Sequence, residues 1–197
     1  MKTGIVLGKF MPLHKGHLEL IRYARTRCDR LIVLLCVAES EIIPGDLREL
    51  WLTAVTESWP NVEVRRLDYD ENIYPNTSVS SWTVSQKWGE LLRRHFLELN
   101  AIFTSEPYGG YLAEIMGIEA EIFDLDRKRQ PVSATMIREQ PEKHWDFLPE
   151  IVRPYFVNTV CLVGTESTGK STLTKRLAAR YCFDEPPGYV LEAGRDL

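Results

Sequence analysis

No run of apolar residues in this 197-residue chain is long enough to cross a bilayer. The longest, residues 31–38, falls far short of the ~20 that a membrane helix needs. The opening Met1-Lys2-Thr3-Gly4 leads straight into apolar Ile5-Val6-Leu7, without the charged and apolar blocks of a signal peptide. Cysteine is scarce. Cys28, Cys36, Cys161 and Cys182 form no C-x-x-C pair, so the sequence offers neither a zinc cage nor a disulfide framework. They read as buried free thiols of a cytoplasmic protein. Positive charge is short as well, with 24 Lys and Arg against 28 Asp and Glu and a net charge of -4. That balance excludes the basic field that nucleic-acid binding requires. Internal repeats and low-complexity tracts are missing too.

What remains is the composition of a globular protein, 44% hydrophobic and 26% charged. At this length one full domain plus a smaller piece is expected. Ile5-Val6-Leu7 reads as a strand. A helical pattern runs on from His17, with Leu18, Ile21, Ala24 and Cys28 on one face. Residues 31–37 are continuously apolar, which suits a strand covered on both faces. Asp46-Leu47-Arg48-Glu49 reads as a capping box, and Leu47, Leu50, Trp51, Ala54 and Val55 form an apolar stripe behind it. Further strands are expected at 62–67, 101–104 and 121–125. A polar loop should occupy 68–80, a helix 81–99, and a loop leading into a short helix 108–116. Ser133 is placed to cap another helix.

Strands alternating with helices predict an α/β fold with a doubly wound parallel sheet. Ligands of such sheets bind beyond the carboxyl ends of the strands, near the switch in strand order. We divide the chain into a first domain at 1–140, a helical closing segment and linker at 141–158, and a partial second domain at 159–197, which opens with an apolar strand.

Two segments fall where a ligand is expected. Gly8-Lys9-Phe10-Met11-Pro12-Leu13-His14-Lys15-Gly16-His17 follows the first strand and carries an H-x-G-H signature. Val132-Ser133-Ala134-Thr135-Met136-Ile137-Arg138 follows the last and carries S-x-T-x-x-R. Together they read as two halves of a nucleotidyltransferase site. Transfer to phosphorus needs substrates held in line and charge stabilised on the leaving pyrophosphate. Gly8 and Gly16 suit close backbone approach to phosphates. His14 and His17 stand around a helix start, which already favours anions. Lys9 adds positive charge, Ser133 and Thr135 supply donors, and Arg138 can clamp a phosphate. One histidine at a helix start is more often a cap than a catalyst; two of them with the distal motif tilt the balance toward function.

A third motif, Gly164-Thr165-Glu166-Ser167-Thr168-Gly169-Lys170-Ser171, matches the P-loop pattern G-x-x-x-x-G-K-[ST] ahead of a helix expected at 171–181. There Gly164 and Gly169 would shape the cradle, Lys170 would reach phosphates, Ser171 would hold magnesium, and Thr172 follows in the first turn. The chain leaves room for little beyond one strand and one helix of such a domain, and pieces below ~40 residues rarely fold unaided.

The paired motifs resemble those of the HxGH nucleotidyltransferase superfamily. More narrowly, the chain resembles the bifunctional nicotinamide-nucleotide adenylyltransferase/ribosylnicotinamide kinase family. The likeness includes Tyr74-Pro75-Asn76 followed by Trp82, Ser105-Glu106-Pro107-Tyr108-Gly109, Asp126-Arg127, and Trp145-Asp146-Phe147-Leu148-Pro149. It implies a Rossmann-like domain that joins nicotinamide mononucleotide to the AMP part of ATP, giving NAD and pyrophosphate, with Mg2+ brought by ATP and no direct protein ligand for the metal in the first domain. The resemblance further implies His14, His17, Lys9 and Arg138 as catalytic residues. Gly8, Phe10, Gly16, Arg127, Ser133 and Thr135 would join them around ATP. Trp82, Asn76 and Tyr108 would contact nicotinamide mononucleotide, with Trp82 stacking on its ring and Trp88 a weaker candidate. Lys9 departs from the arginine that many relatives carry there, keeping charge but losing the fork. With the second domain truncated, kinase activity is expected to be absent, as is a repressor role. Neither nucleic acid nor a membrane is expected as a partner, and the apolar residues 160–163 could pair with the edge of another copy. Competing readings are transfer to a different phosphate substrate such as phosphopantetheine, a nucleotide sensor with little turnover, and a kinase working through the P-loop.

Overall fold

A computed structural model describes residues 1–75, 81–157 and 161–181. The chain divides into two compact units, Met1–Arg153 and Pro154–Leu197. The boundary thus falls inside the segment that the sequence reading set aside as a linker. Leu148 and Val152 are fully buried, which gives the closing segment a reason to belong to the first unit.

Five strands, β1 (Thr3–Gly8), β2 (Arg30–Val37), β3 (Val62–Asp68), β4 (Ala101–Thr104) and β5 (Glu119–Ile122), form one sheet in the order β3-β2-β1-β4-β5. All four pairings are parallel. The chain builds outward from β1 in one direction through β2 and β3, then restarts on the other side with β4 and β5. The switch point therefore lies between β1 and β4, and the loops leaving their carboxyl ends face each other there.

The apolar runs of β1, β2 and β4 are buried on both faces, as parallel strands under helices must be. Ile5, Ile32, Leu34, Cys36 and Ile102 share one face. They pack with Trp88 and Leu92 of α3 (Trp82–His95) and Leu112 of α4 (Tyr108–Met116). The opposite face is covered by α1 (Lys15–Arg25) and α2 (Gly45–Thr56). Strand β5 starts two residues earlier than the sequence pattern placed it. Its register is set by β4, with Ala101 opposite Glu119 and Thr104 opposite Ile122. Helix α4 begins at Tyr108 itself, where a loop was expected.

Helix α2 departs most from expectation. The predicted stripe included Leu50, which is largely exposed; the buried positions are Arg48, Trp51, Leu52 and Thr56. No side chain caps this helix, so the expected box at Asp46 does not form. The cause is Arg48, whose side chain is wholly buried. Its Nε donates to the Ile43 carbonyl at 2.9 Å and its Nη1 to the carbonyls of Lys9 at 2.6 Å and Cys36 at 3.4 Å. Its Nη2 donates to the Glu41 carboxylate. A guanidinium so satisfied draws its face of the helix inward and turns the apolar stripe by about one position.

The cysteines follow the sequence reading only in part. Cys36 is buried, and burial pushes its thiol up to about 12; Cys28 is half-buried and Cys161 exposed. Cys182 lies outside the described residues.

In the second unit, the strand expected from residue 159 lies partly outside the described residues, and its described part carries no regular structure at 161–164. A strand needs a neighbouring ladder, and the described residues of that unit supply none. Helix α6 (Lys170–Tyr181) forms as predicted. Among the described residues no helix is long and apolar enough to cross a membrane.

Replacing Arg48 by alanine leaves Glu41 buried beside an emptied site. Urea unfolding should then show a loss of about 3–5 kcal/mol, the usual cost of removing one partner of a buried pair. A loss below about 1 kcal/mol would mean that the network holds nothing together.

Candidate active site

The loop leaving β1 turns sharply at Phe10, which takes a left-handed φ of 47°. The turn buries the Phe10 ring and sets it edge-on against His17, with ring centroids 4.9 Å apart. His14 then caps α1. Its Nδ1 accepts the His17 backbone N–H, and the Nδ1 of His17 accepts that of His14, both at 3.4 Å. The two imidazoles stack 3.7 Å apart at 22°. This is a capping box built from two histidines in place of the usual hydroxyl and carboxylate.

Protonation follows from this arrangement. A ring nitrogen that accepts a backbone N–H carries no proton, so each neutral imidazole keeps its proton on Nε2. Burial, and then the Arg127 charge, bring His17 down to about 3. Burial, the neighbouring His17 and Arg127 hold His14 well below its ordinary value. At neutral pH both rings are therefore uncharged Nε2–H donors.

Gly16 serves this pair directly. A Cβ there would stand 3.0 Å from the His14 ring, so the ring, rather than a phosphate, is what the missing side chain accommodates. At Gly8 a Cβ would meet the Phe10 ring at an ordinary 3.6 Å.

Two clefts meet at this point. One, of about 170 Å³, is lined by His14, Gly16, His17, Asp124, Arg127, Ser133 and Thr135, among others. The second, of about 230 Å³, is lined by Gly8, Lys9, Phe10, Tyr108 and Arg138. His17, Ser105, Glu106 and Ala134 border both. The two signature segments are tied together directly. On helix α5 (Ala134–Glu139), Arg138 donates Nη1 to the Met11 carbonyl and Nη2 to Thr135 Oγ1 at 3.1 Å. Ser133 caps that helix, its Oγ accepting the Met136 N–H at 3.2 Å.

Lys9 does not stand free. Its Nζ lies 3.0 Å from Glu41 and 2.7 Å from Glu71. Burial works downward on this ammonium, but bonding to Glu71, Tyr69 and Glu41 carries it above the ordinary lysine value. Tyr108 is buried with its hydroxyl donating to the Leu7 carbonyl at 3.4 Å, and burial pushes its phenol up. Trp82 borders neither cleft; it rests edge-on against Tyr111 with ring centroids 5.8 Å apart. Trp88 comes nearer, lining a small cavity with Lys9, Tyr69 and Tyr108. Asn76 lies outside the described residues. Sequence reasoning missed Arg48, Glu41 and Glu71, and no motif marks them.

In the second unit residues 164–169 form a compact turn ahead of α6, with left-handed φ at Ser167 (59°) and Gly169 (79°). Lys170 folds back so that its Nζ donates to the Thr165 carbonyl at 2.6 Å. Ser171 and Thr172 stand exposed in the first turn of the helix.

The H-x-G-H loop and the S-x-T-x-x-R helix start thus meet at the switch point of a parallel sheet, the place where ligands of such sheets bind. No family model matches the chain. The chain is homologous to NadR. It is 31% identical over 194 residues to the trifunctional NAD biosynthesis/regulator protein NadR of Escherichia coli K12, which covers 89% of this chain and 45% of that protein. It is also 39% identical over 67 residues to a phosphopantetheine adenylyltransferase of Clostridium botulinum strain 657, covering 33% of this chain and 41% of that one. A crystal structure of NadR in complex with NAD and AMP-PNP matches with a TM-score of 0.66 and 28% identity, over 90% of this chain and 53% of that one. The chain thus spans about half the length of the NadR proteins it matches.

The histidine pair also sets a pH dependence. Folding holds both rings below their ordinary value, so the unfolded chain binds more protons once pH falls below about 6.5. The pair's contribution is complete above that pH and drains away as pH falls toward about 3. Wild-type unfolding free energy should therefore fall more steeply between these limits than that of His17→Asn, by up to about 1.4 kcal/mol per pH unit. Parallel slopes would show that His17 is not held neutral.

Proposed function

We propose that the first unit is an adenylyltransferase that joins the AMP part of ATP to nicotinamide mononucleotide, giving NAD and pyrophosphate. One observation carries the reading: two imidazoles whose Nδ1 atoms are taken up by backbone N–H groups, leaving Nε2–H as the donor, both line the first cleft, and His17 lines the second as well. The 5′-phosphate oxygen of the mononucleotide attacks the α-phosphorus of ATP, and the bond from that phosphorus to the β-phosphate oxygen breaks. His14 and His17 donate to the phosphates and stabilise the charge that gathers on pyrophosphate, without first having to lose a proton. Arg127 in the first cleft and Arg138 in the second add positive potential, as do the N–H groups at the start of α5, and Lys9 lines the second cleft from its carboxylate partners. No group of three or more His, Cys, Asp or Glu gathers as a metal site among the described residues. Magnesium, carried on the triphosphate, would neutralise phosphate charge.

The relatives support adenylyl transfer in general, since NadR and phosphopantetheine adenylyltransferase both appear among them. The second of these favours phosphopantetheine as the alternative acceptor. An assay of pyrophosphate release from ATP and magnesium with each acceptor separates the two. We expect NAD from nicotinamide mononucleotide, with kcat/KM falling at least about 10²-fold in His17→Ala. Turnover with phosphopantetheine alone would overturn the choice of acceptor, and turnover with neither would overturn the enzyme.

A further inference from the structure

The turn between β5 and α5 contains two left-handed residues, Asp124 at φ 51° and Arg127 at φ 52°. Aspartate tolerates this conformation, whereas an arginine held there costs on the order of 1 kcal/mol and persists only where its surroundings enforce it. Asp124 supplies the enforcement. Its carboxylate accepts the backbone N–H groups of three consecutive residues, Lys128 at 2.9 Å, Arg129 at 3.1 Å and Gln130 at 3.4 Å. Its carbonyl accepts the Arg127 N–H at 2.8 Å. Arg129 lies over the buried Phe123 ring at 5.3 Å and pins the base of the turn. The turn is thereby closed with Arg127 at the cleft of His14, His17 and Ser133, where its guanidinium lies 3.7 Å from Glu106. Asp126, the acid of the Asp126-Arg127 pair that stands out in the sequence, does none of this. It pairs with Lys128 at 2.8 Å on the open surface.

We propose that Asp124 is a positioning residue: by binding the backbone of its own turn it presents Arg127 to the nucleotide phosphates beside His14 and His17. The inference rests on the adenylyltransferase reading for the identity of the ligand. A phosphate group arriving in the cleft replaces the Glu106 carboxylate as the partner of Arg127, and a charge-assisted pair of this kind is geometry-dependent. Asp124 therefore acts only through Arg127, and the two residues must be coupled.

The test is binding of magnesium AMP-PNP, measured calorimetrically on the full chain carrying Lys170→Ala, so that the P-loop is silent. Asp124→Ala should weaken binding about tenfold and Arg127→Ala by at least as much. The double variant should be no worse than Arg127→Ala alone, to within about twofold. Asp124→Asn keeps the left-handed preference and one acceptor oxygen; it should fall between wild type and Asp124→Ala, and it serves if the alanine variant does not fold. Binding of nicotinamide mononucleotide should stay within about twofold, which a general loosening of the fold would not leave intact. Unchanged nucleotide affinity in Asp124→Ala, full additivity with Arg127→Ala, or no nucleotide binding by the parent would each overturn the proposal. A parent that binds AMP-PNP but makes no NAD would sink the functional reading while the coupling still decides the role of Asp124.

Discussion

One buried ion pair holds the sheet end of this site in shape. Arg48 and Glu41 are both almost wholly out of solvent, and neither would be tolerated there alone. From this pair, bonds run to the Lys9 carbonyl after β1, the Cys36 carbonyl near the end of β2, and the Ile43 carbonyl ahead of α2. Glu41 also accepts the Ala38 N–H at 3.1 Å and pairs with Lys9. The two connections that leave the neighbouring strands β1 and β2 are thus bound to one guanidinium. The exit of β1 is among them, so the turn through Phe10 to His14 starts from a fixed point.

From that point the histidine pair needs little else. A capping interaction is normally a matter of helix stability, worth about 1 kcal/mol. Here the capping groups also line the clefts, where the proposed function gives them the phosphates to hold. Because each Nδ1 is occupied by a backbone N–H, the tautomer is chosen by helix geometry instead of by a separate carboxylate partner. Because the rings are stacked, with His14 buried and His17 partly so, and lie near the Arg127 charge, they stay neutral and ready to donate. Arg138 closes the arrangement from the far end of the unit, binding the Met11 carbonyl 127 residues away in sequence.

Much of this was legible in the sequence, for physical reasons that differ by element. Strands β1, β2 and β4 announce themselves because burial on both faces demands unbroken apolar runs. Strand β5 does not, since its residues are mostly exposed at the sheet edge and its register comes from β4. The two signature segments were readable because the chemistry at helix starts restricts residue type. Helix α2 was misread by periodicity, because a buried arginine looks polar to any pattern that equates polarity with solvent. Trp82, singled out for ring stacking, stands partly exposed against Tyr111. Asp124 was invisible for a further reason. Its partners are backbone N–H groups, which have no sequence signature at all.

The central claim is that this fold presents two uncharged imidazoles as Nε2–H donors. Long-range ¹H–¹⁵N spectra of the four histidines at pH 7 test it most directly. For His14 and His17 the account predicts an unprotonated Nδ1 and a protonated Nε2 in both rings, with the Nε2 resonances moving when ATP and magnesium are added. A proton on Nδ1, or an imidazolium in either ring before nucleotide is added, would contradict it.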